Sequence, residues 1–444
     1  MTIDPARIPP EVVAVSRELK QAGHEAYLVG GAVRDLLRGR VPPDWDLATS
    51  ARPEEVLALF PGSLPTGLKY GTVTVLRGGL RIEVTTFRGE EAYTDGRHPD
   101  RVVFGVSLEE DLARRDFTVN AMAYDPLGHR LIDPYGGRRD LARKIIRTVG
   151  DPACRFQEDA LRMLRLYRFV ATLEMRPDPK AEKAVLPALL ERVSRERIRD
   201  ELEKLLLAPR PLPALWGLAR SGLLTVIAPE FEPMDRALLR HSFTATQEIA
   251  AVLHLRLAAL LHDLGKPATR RVVGGKLHFY GHEELGAEMA RGLLSRLRFA
   301  GETVARVTLL IRLHMFQLPF PPSEAALRRL LQKAGGPENL RDLLELRRAD
   351  ILATGRFSWP DALRWREVTA RVEDFLATRP AFSLRDLAVD GHDVMRLLGI
   401  GPGPAVGAVL RELLAAVIEN PALNNRADLE RLIREKAPPR PEKI

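Results

Sequence analysis

Cysteine is almost missing: Cys154 is the only thiol in 444 residues, so intrachain disulfides and a cysteine-based zinc site are excluded. Long hydrophobic runs are missing as well. Each apolar stretch is too short or too interrupted by charge to span a bilayer, and the polar, proline-rich opening 1–10 does not read as a signal peptide. These absences predict a cytoplasmic globular protein with no membrane partner. No internal repeat is found. Histidine is scarce, ten in all, which gives weight to any place where several gather. The chain is too long for one core and predicts two to four domains. Lysine and arginine outnumber aspartate and glutamate 67 to 59, a net charge of +8 that suits a polyanionic partner and equally fits scattered surface charge.

The most informative stretch is 27–49, YLVGGAVRDLLRGRVPPDWDLAT. A Gly-Gly turn, Gly30-Gly31, follows a short apolar run, and the pair Arg34-Asp35 comes one helical turn later. Alone, such a pair of glycines marks a turn. Here it precedes a helix predicted from Ala32, whose N-terminus with its uncovered N–H groups favours a triphosphate. Asp44 and Asp46 follow as Asp-x-Asp. In an extended strand both carboxylates face one side about 7 Å apart, a spacing that two Mg2+ ions could share. Anion cradle and metal clamp in this order describe nucleotidyl transfer.

The surrounding pattern predicts a helix over 10–22, a strand over 26–29, a helix over 53–60, and two alternating strands, 70–76 and 80–87, joined at Gly78-Gly79. This is an α/β head on a mixed sheet, over 1–150. Glu83 lies on the second of the paired strands and is a candidate third carboxylate, either a metal ligand or a base. The polar segment 88–103 suits a mobile loop over a cleft. In RRDFTVNAM the apolar positions look like packing, while Arg115, Asp116 and Asn120 are polar groups that packing does not call for. From Phe156 the pattern is helical. Glu158, Asp159, Arg162 and Arg165 recur at helical intervals, which ordinary intrahelical ion pairing explains. A serine-capped helix opens at Ser194, prolines at 209–213 mark a boundary, and further helices run to 425, with a strand signal only near 271–279. The end, 437–444, reads as a disordered tail.

A second constellation lies in the helical half. His262-Asp263 ends an apolar helix, with His241 upstream and Asp350 downstream. Imidazole and carboxylate suit Mn2+, Ni2+, Zn2+ or Mg2+, and helices can bring distant ligands to one point. His282 and His314 are candidates for a second ion; His254 and His278 are weaker ones.

In order, LVGGAVRD with DWD, IEVTTFR, YTDGRHPD, RRDFTVNAM, DPYGG, RFQEDALRMLR and RERIRDEL resemble the bacterial class II tRNA nucleotidyltransferases, the CCA-adding enzymes and their poly(A) polymerase relatives. HDLGK resembles the HD phosphohydrolase domain of some members. The resemblance implies a head (1–150), a helical neck (151–212), a body with an HD site (213–370) and a tRNA-binding tail (371–444). It implies CTP, ATP and tRNA as partners, Mg2+ in the head, and Ni2+, Mn2+ or Mg2+ at the HD site, in a monomer or homodimer. Position by position it makes Asp44, Asp46 and Glu83 catalytic and metal-binding, and Gly30, Gly31, Arg34 and Asp35 a triphosphate cradle. Arg115, Asp116 and Asn120 fall in the ribose-contacting motif, Asp159 and Arg162 in the base-reading pair, with Arg165 beside them. His241, His262, Asp263 and Asp350 match HD ligands, implying hydrolysis of 2′,3′-cyclic phosphates. Two other readings are an enzyme adding only the final A to tRNA ending in CC, and an RNA-binding HD phosphohydrolase with an inactive head.

Overall fold

The computed structural model describes residues 1–91, 101–355 and 358–436. The central part of the expected mobile loop, 92–100, and the expected tail, 437–444, lie outside the described residues. Contacts divide the chain after Glu232 into two compact units.

The first unit is built on a seven-stranded mixed sheet. Its strands are β1 (Ala26–Val29), β2 (Trp45–Thr49), β3 (Leu64–Gly67), β4 (Thr72–Arg77), β5 (Leu80–Thr86), and, after a separate two-stranded ribbon of β6 (Arg88–Glu91) and β7 (Arg101–Phe104), β8 (Ala123–Asp125) and β9 (Arg130–Ile132). The order is β3-β4-β5-β2-β1-β8-β9. Only β2 and β5 run parallel, an arrangement that needs a crossover, supplied by the segment between them. All four residues of β1 are buried, as expected of a central strand covered on both faces. In β5 the burial alternates, with Ile82 and Val84 inside and Glu83 outside.

Helices α1 (Pro10–Gln21) and α2 (Gly30–Leu37) pack their apolar faces, including Val12, Val15, Val33 and Leu36, against this sheet. After α3 (Pro53–Leu59), α4 (Leu108–Ala113) and α5 (Gly137–Arg143), the chain enters α6 (Pro152–Glu158) and α7 (Leu161–Leu173). The sequence predicts one continuous helix here, and the structure breaks it at Asp159. That residue is extended (φ −145°, ψ 105°), and its carboxylate accepts the Leu161 N–H at 3.0 Å. An aspartate that bonds the backbone just ahead of it competes with helix continuation. Helix α7 is buried along most of its length and packs Phe169 edge-on against Phe117, with ring centroids 5.5 Å apart.

The second unit is helical among its described residues, apart from the short hairpin Arg271–Val273/Lys276–His278. Helices Arg236–Glu248, Leu253–Leu261, Gly301–Leu313 and Pro337–Ala353 pack together, with His282–Arg296 against Gly301–Leu313. Further on, Gly391–Leu398, Pro404–Glu419 and Arg426–Arg434 share an apolar cluster that includes Val394, Leu413, Leu429 and Ile433. Among the described residues no helix is long and apolar enough to cross a membrane.

Candidate functional site

In the first unit the sheet, α2 and α7 enclose a cavity of about 760 Å³. Among the described residues eight arginines and four carboxylates line it, a surplus of positive charge that suits a polyphosphate. Helix α2 starts at Gly30 itself, two residues earlier than the sequence pattern predicts, so both glycines form its first turn. Gly30 has φ +67°, and a Cβ there would stand 3.0 Å from Arg115 Nη1. Only glycine combines that backbone with so close a guanidinium.

Asp46 and Glu83 are register partners on β2 and β5, so their side chains project from the same face of the sheet. The Asp46 carboxyl is pushed up to about 6 by burial first, then by the charge of Glu83 and of Asp44, with Arg115 and Arg34 opposing. Asp44 departs from expectation. It is exposed and sits in the bend before β2, which begins at Trp45. Two prolines precede it, and neither can donate an N–H to the ladder, so Pro42 and Pro43 disfavour extension of the strand toward the N-terminus. Asp44 nevertheless stays near enough to perturb Asp46, although it does not line the cavity. The set Asp46, Glu83 and Asp44 fits divalent cations, because the negative charges that crowd the Asp46 carboxyl are relieved by a cation.

A polar chain runs from α2 to α7. Arg34 donates from Nε and Nη2 to Asp35 (2.9 and 2.8 Å) and from Nη1 to Asn120 Oδ1 (2.8 Å). Asn120 donates to Asp116 Oδ1 at 3.1 Å, and Arg165 grips Asp116 Oδ2 at 2.8 and 2.6 Å. Burial works to raise Asp116, but the Arg165 guanidinium, the Asn120 amide and the Phe117 N–H hold its carboxyl down at about 2. Asp116 is thus an anchor held charged. Asp35 is absent from the cavity lining and acts behind Arg34, whereas Arg34, Arg115, Asp116, Asn120, Asp159, Arg162 and Arg165 all line it.

Asp159 and Arg162, expected to read the base, are also arranged differently from a helix face. Arg162 Nη1 donates to Glu158 at 2.5 Å, while Asp159 Oδ2 accepts from Arg197 Nη2 at 2.7 Å. Arg197 comes from the helix Arg195–Leu206 and went unnoticed in the sequence, although it lies within the quoted RERIRDEL segment. That a charged helix face turns toward a cavity is a matter of packing, and no local signal marks it. Arg168 and Phe169 also line the cavity without a sequence signal.

The second unit gathers its histidines. His241 Nε2 lies 3.2 Å from His262 Nε2 and 3.0 Å from Asp350 Oδ1. His282 Nε2 lies 3.3 Å from His314 Nε2. His262, His282 and His314 each turn Nδ1 to the carbonyl three residues earlier, of Ala259, Phe279 and Ile311, at 2.9, 2.7 and 2.6 Å. Such bonds place the proton on Nδ1 and leave the Nε2 lone pairs converging inward, as metal-ligating imidazoles are held. Asp263 belongs to two groupings whose ligand atoms lie within 4.8 Å: His241, His262, Asp263, and Asp263, His282, His314. Among the described residues its Oδ1 is buried without a hydrogen-bond partner, while Lys266 Nζ holds Oδ2 at 2.7 Å. An unpartnered buried carboxylate oxygen among converging imidazoles fits a cation.

The electrostatics of the two groupings differ. Burial lowers the His314 imidazole to about 3, keeping it neutral. For His262, burial is outweighed by the charges of Asp263 and Asp350, which raise it. Asp350 is held well below the carboxylate range; burial opposes this, but the bond with His241 and the nearby His262 prevail. The weaker candidates are elsewhere: His254 pairs with Asp342 at 2.8 Å, and His278 stacks on Tyr280.

Residues 26–147 match the Poly A polymerase head domain, 180–235 the probable RNA and SrmB-binding site of polymerase A, and 239–355 the HD domain. The CCA-adding enzyme of Geobacillus stearothermophilus is 38% identical over 419 residues, 94% of each chain. That of Lactobacillus johnsonii is 36% identical over 433 residues, 96% of this chain and 98% of its own. Among solved structures, the Bacillus stearothermophilus CCA-adding enzyme in complex with CTP aligns with a TM-score of 0.76 at 33% identity, covering 97% of this chain and 98% of its own. The Thermotoga maritima CCA-adding enzyme complexed with tRNA shares the fold at a TM-score of 0.61 and 21% identity, over 97% of this chain and 96% of its own. With a poly(A) polymerase-type head on a mixed sheet, a helical remainder and an HD domain in one chain, this protein belongs to the CCA-adding enzymes, the bacterial class II tRNA nucleotidyltransferases.

Proposed function

We propose that this chain adds C, C and A to the 3′ end of tRNA from CTP and ATP, without a nucleic-acid template and with release of pyrophosphate. The register of Asp46 opposite Glu83, at an arginine-lined cavity floored by the Gly30-Gly31 helix start, carries the proposal. Asp46 and Glu83, with Asp44 near Asp46, would hold divalent ions, which we take as Mg2+. Two such ions, when bound, supply Lewis acidity for the attacking 3′-hydroxyl and charge neutralisation for the triphosphate. The N–H groups of Gly30 and Gly31 and the guanidinium of Arg34 receive the triphosphate, with Asp35 fixing Arg34. The Asp116–Asn120–Arg165 network orients the ribose side, and Arg115 stands over the cradle.

Base choice falls to Asp159 and Arg162. Cytosine and adenine both present an amino donor beside a ring-nitrogen acceptor, which a carboxylate and a guanidinium complement; uracil and guanine reverse that order. Asp159 accepts one bond from Arg197 and one from the Leu161 N–H, which leaves acceptor capacity for a base amine. We assign 1–150 as head, 151–212 as neck, 213–370 as body and 371–444 as a tRNA-binding tail.

In the body, His241, His262, Asp263 and Asp350 would hold one ion and Asp263, His282 and His314 a second, the ions being Ni2+, Mn2+ or Mg2+. Ions bound there supply activated water for hydrolysis of 2′,3′-cyclic phosphates and phosphomonoesters.

The test is incubation with tRNAs ending before CCA, after C and after CC, each with labelled CTP or ATP. Incorporation of C into the first two and of A into the third is expected. Incorporation restricted to A on the CC-ended tRNA would leave an A-adding enzyme. No incorporation, with phosphohydrolysis retained, would leave an RNA-binding hydrolase.

A further inference from the structure

The hairpin over 271–278 leaves Asp263 through Lys266 and returns directly into His282, so both of its ends are metal-centre residues. Its base is pinned. A Cβ at Gly265 would stand 2.3 Å from the His282 carbonyl oxygen, and His282 Nδ1 bonds the Phe279 carbonyl at 2.7 Å. Lys266 lies over the Phe279 ring, 5.7 Å from its centroid, while its ammonium holds Asp263. Between Asp263 and Glu283 there is no carboxylate and there are four basic side chains, Lys266, Arg270, Arg271 and Lys276.

The register sorts these residues. Arg271 pairs with His278 and Val273 with Lys276, so those four side chains share one face, and Val272 with Leu277 takes the other. His278 stacks on Tyr280 at 5.0 Å and 8°, and Tyr280 is 66% exposed. Val272 is 71% exposed, so among the described residues nothing covers that face of the ribbon. Nothing in hairpin stability calls for an exposed aromatic stack beside unopposed cations. Basic side chains interleaved with stackable rings are what a single-stranded nucleic acid requires.

We propose that this hairpin is a docking element for single-stranded RNA, holding phosphates on Arg271 and Lys276 and a base on the His278–Tyr280 stack, next to the histidine centre. It names the substrate class of that centre and rests on the phosphohydrolase reading. The apolar Val272–Leu277 face is not used; charge complementarity selects the RNA.

The full-length chain, loaded with Mn2+, is irradiated with a short oligouridylate that carries 5-iodouridine near a 2′,3′-cyclic phosphate end, and the crosslinked peptides are mapped. A crosslink at Tyr280 is expected. It should fall about tenfold in the Arg271→Glu/Lys276→Glu variant at low salt. The same variant should raise KM for hydrolysis of the oligonucleotide about tenfold and leave turnover of 2′,3′-cyclic AMP unchanged. Crosslinks that avoid 270–281, or that ignore the charge reversal, overturn the proposal. A charge-dependent Tyr280 crosslink without any hydrolysis in the wild type would sustain the docking role and remove the hydrolytic reading. A dimer lost in Val272→Glu, together with absent crosslinks, would assign the ribbon to a second copy of the chain.

Discussion

Glu83 and Asp46 line the head cavity, exposed and half-buried respectively, with Asp44 exposed beside them, whereas the candidate HD centre lies deeper, with His262 and Asp263 both 0% exposed and His241 and Asp350 half-buried. The difference follows from what each must admit. A triphosphate and an RNA end need a wide entrance, and arginines rather than burial concentrate the charge there. The histidine centre instead orients His262, His282 and His314 through backbone carbonyls in a buried environment, where a neutral His314 costs nothing in charge desolvation. One site is held by strand register, the other by helix packing.

The sharpest way to break this comparison is to remove one centre and watch the other. Asp46→Ala should lower nucleotide addition by about 10³-fold or more and leave hydrolysis of 2′,3′-cyclic phosphates intact. Addition within tenfold of wild type, measured with labelled CTP, would end the metal assignment. In the reverse direction, Asp263→Asn should abolish hydrolysis and reduce Mn2+ stoichiometry at the histidine centre, while His282→Ala removes one ion only. Equilibrium dialysis that finds equal loss in the two variants would refute a shared Asp263.

A smaller effect is expected at the base. Asp159→Ala should erode discrimination against UTP and GTP by about 10- to 100-fold, since each mismatched polar contact in a desolvated pocket is worth ~1–3 kcal/mol. Arg197→Ala, which frees Asp159 without removing it, should do less. Unchanged discrimination in both would reduce the Asp159–Arg197 bond to an ion pair of the scaffold.

The smallest effect concerns stability. The folded Asp116 carboxyl sits at about 2, below its unfolded value of about 3.9. A depressed carboxylate contributes stability that is complete above the unfolded pKa and disappears as pH falls through the folded one. Acid titration of unfolding should therefore show a loss of about 2 kcal/mol between roughly pH 4 and 2 that Asp116→Asn lacks. Coincident acid profiles for variant and wild type would remove Asp116 from its anchoring role.

Much was legible along the chain. Periodicity marked β1, β4, β5 and α1 to within a residue or two, because alternation and helical spacing are short-range consequences of which face meets the core. The Gly30-Gly31 turn, Asp46 and the His262-Asp263 pair stand out because their chemistry is packed into a few neighbouring positions, and Glu83 because it sits on an alternating strand. The break at Asp159 was missed: periodicity across EDALRMLRL fits a helix, and only the carboxylate's bond to Leu161 N–H interrupts it. Asp44 was placed on a strand that two prolines shorten.

Other relations were decided only by tertiary structure. Asp350 reaches His241 across 109 residues, and Arg197 reaches Asp159 across 38. Spacing of that length carries no geometry, since the crossing of helices sets it through side-chain packing over the whole unit. The sequence by itself supplied the donors and acceptors and the local frames that hold them; the packing of sheet and helices chose which of them would meet.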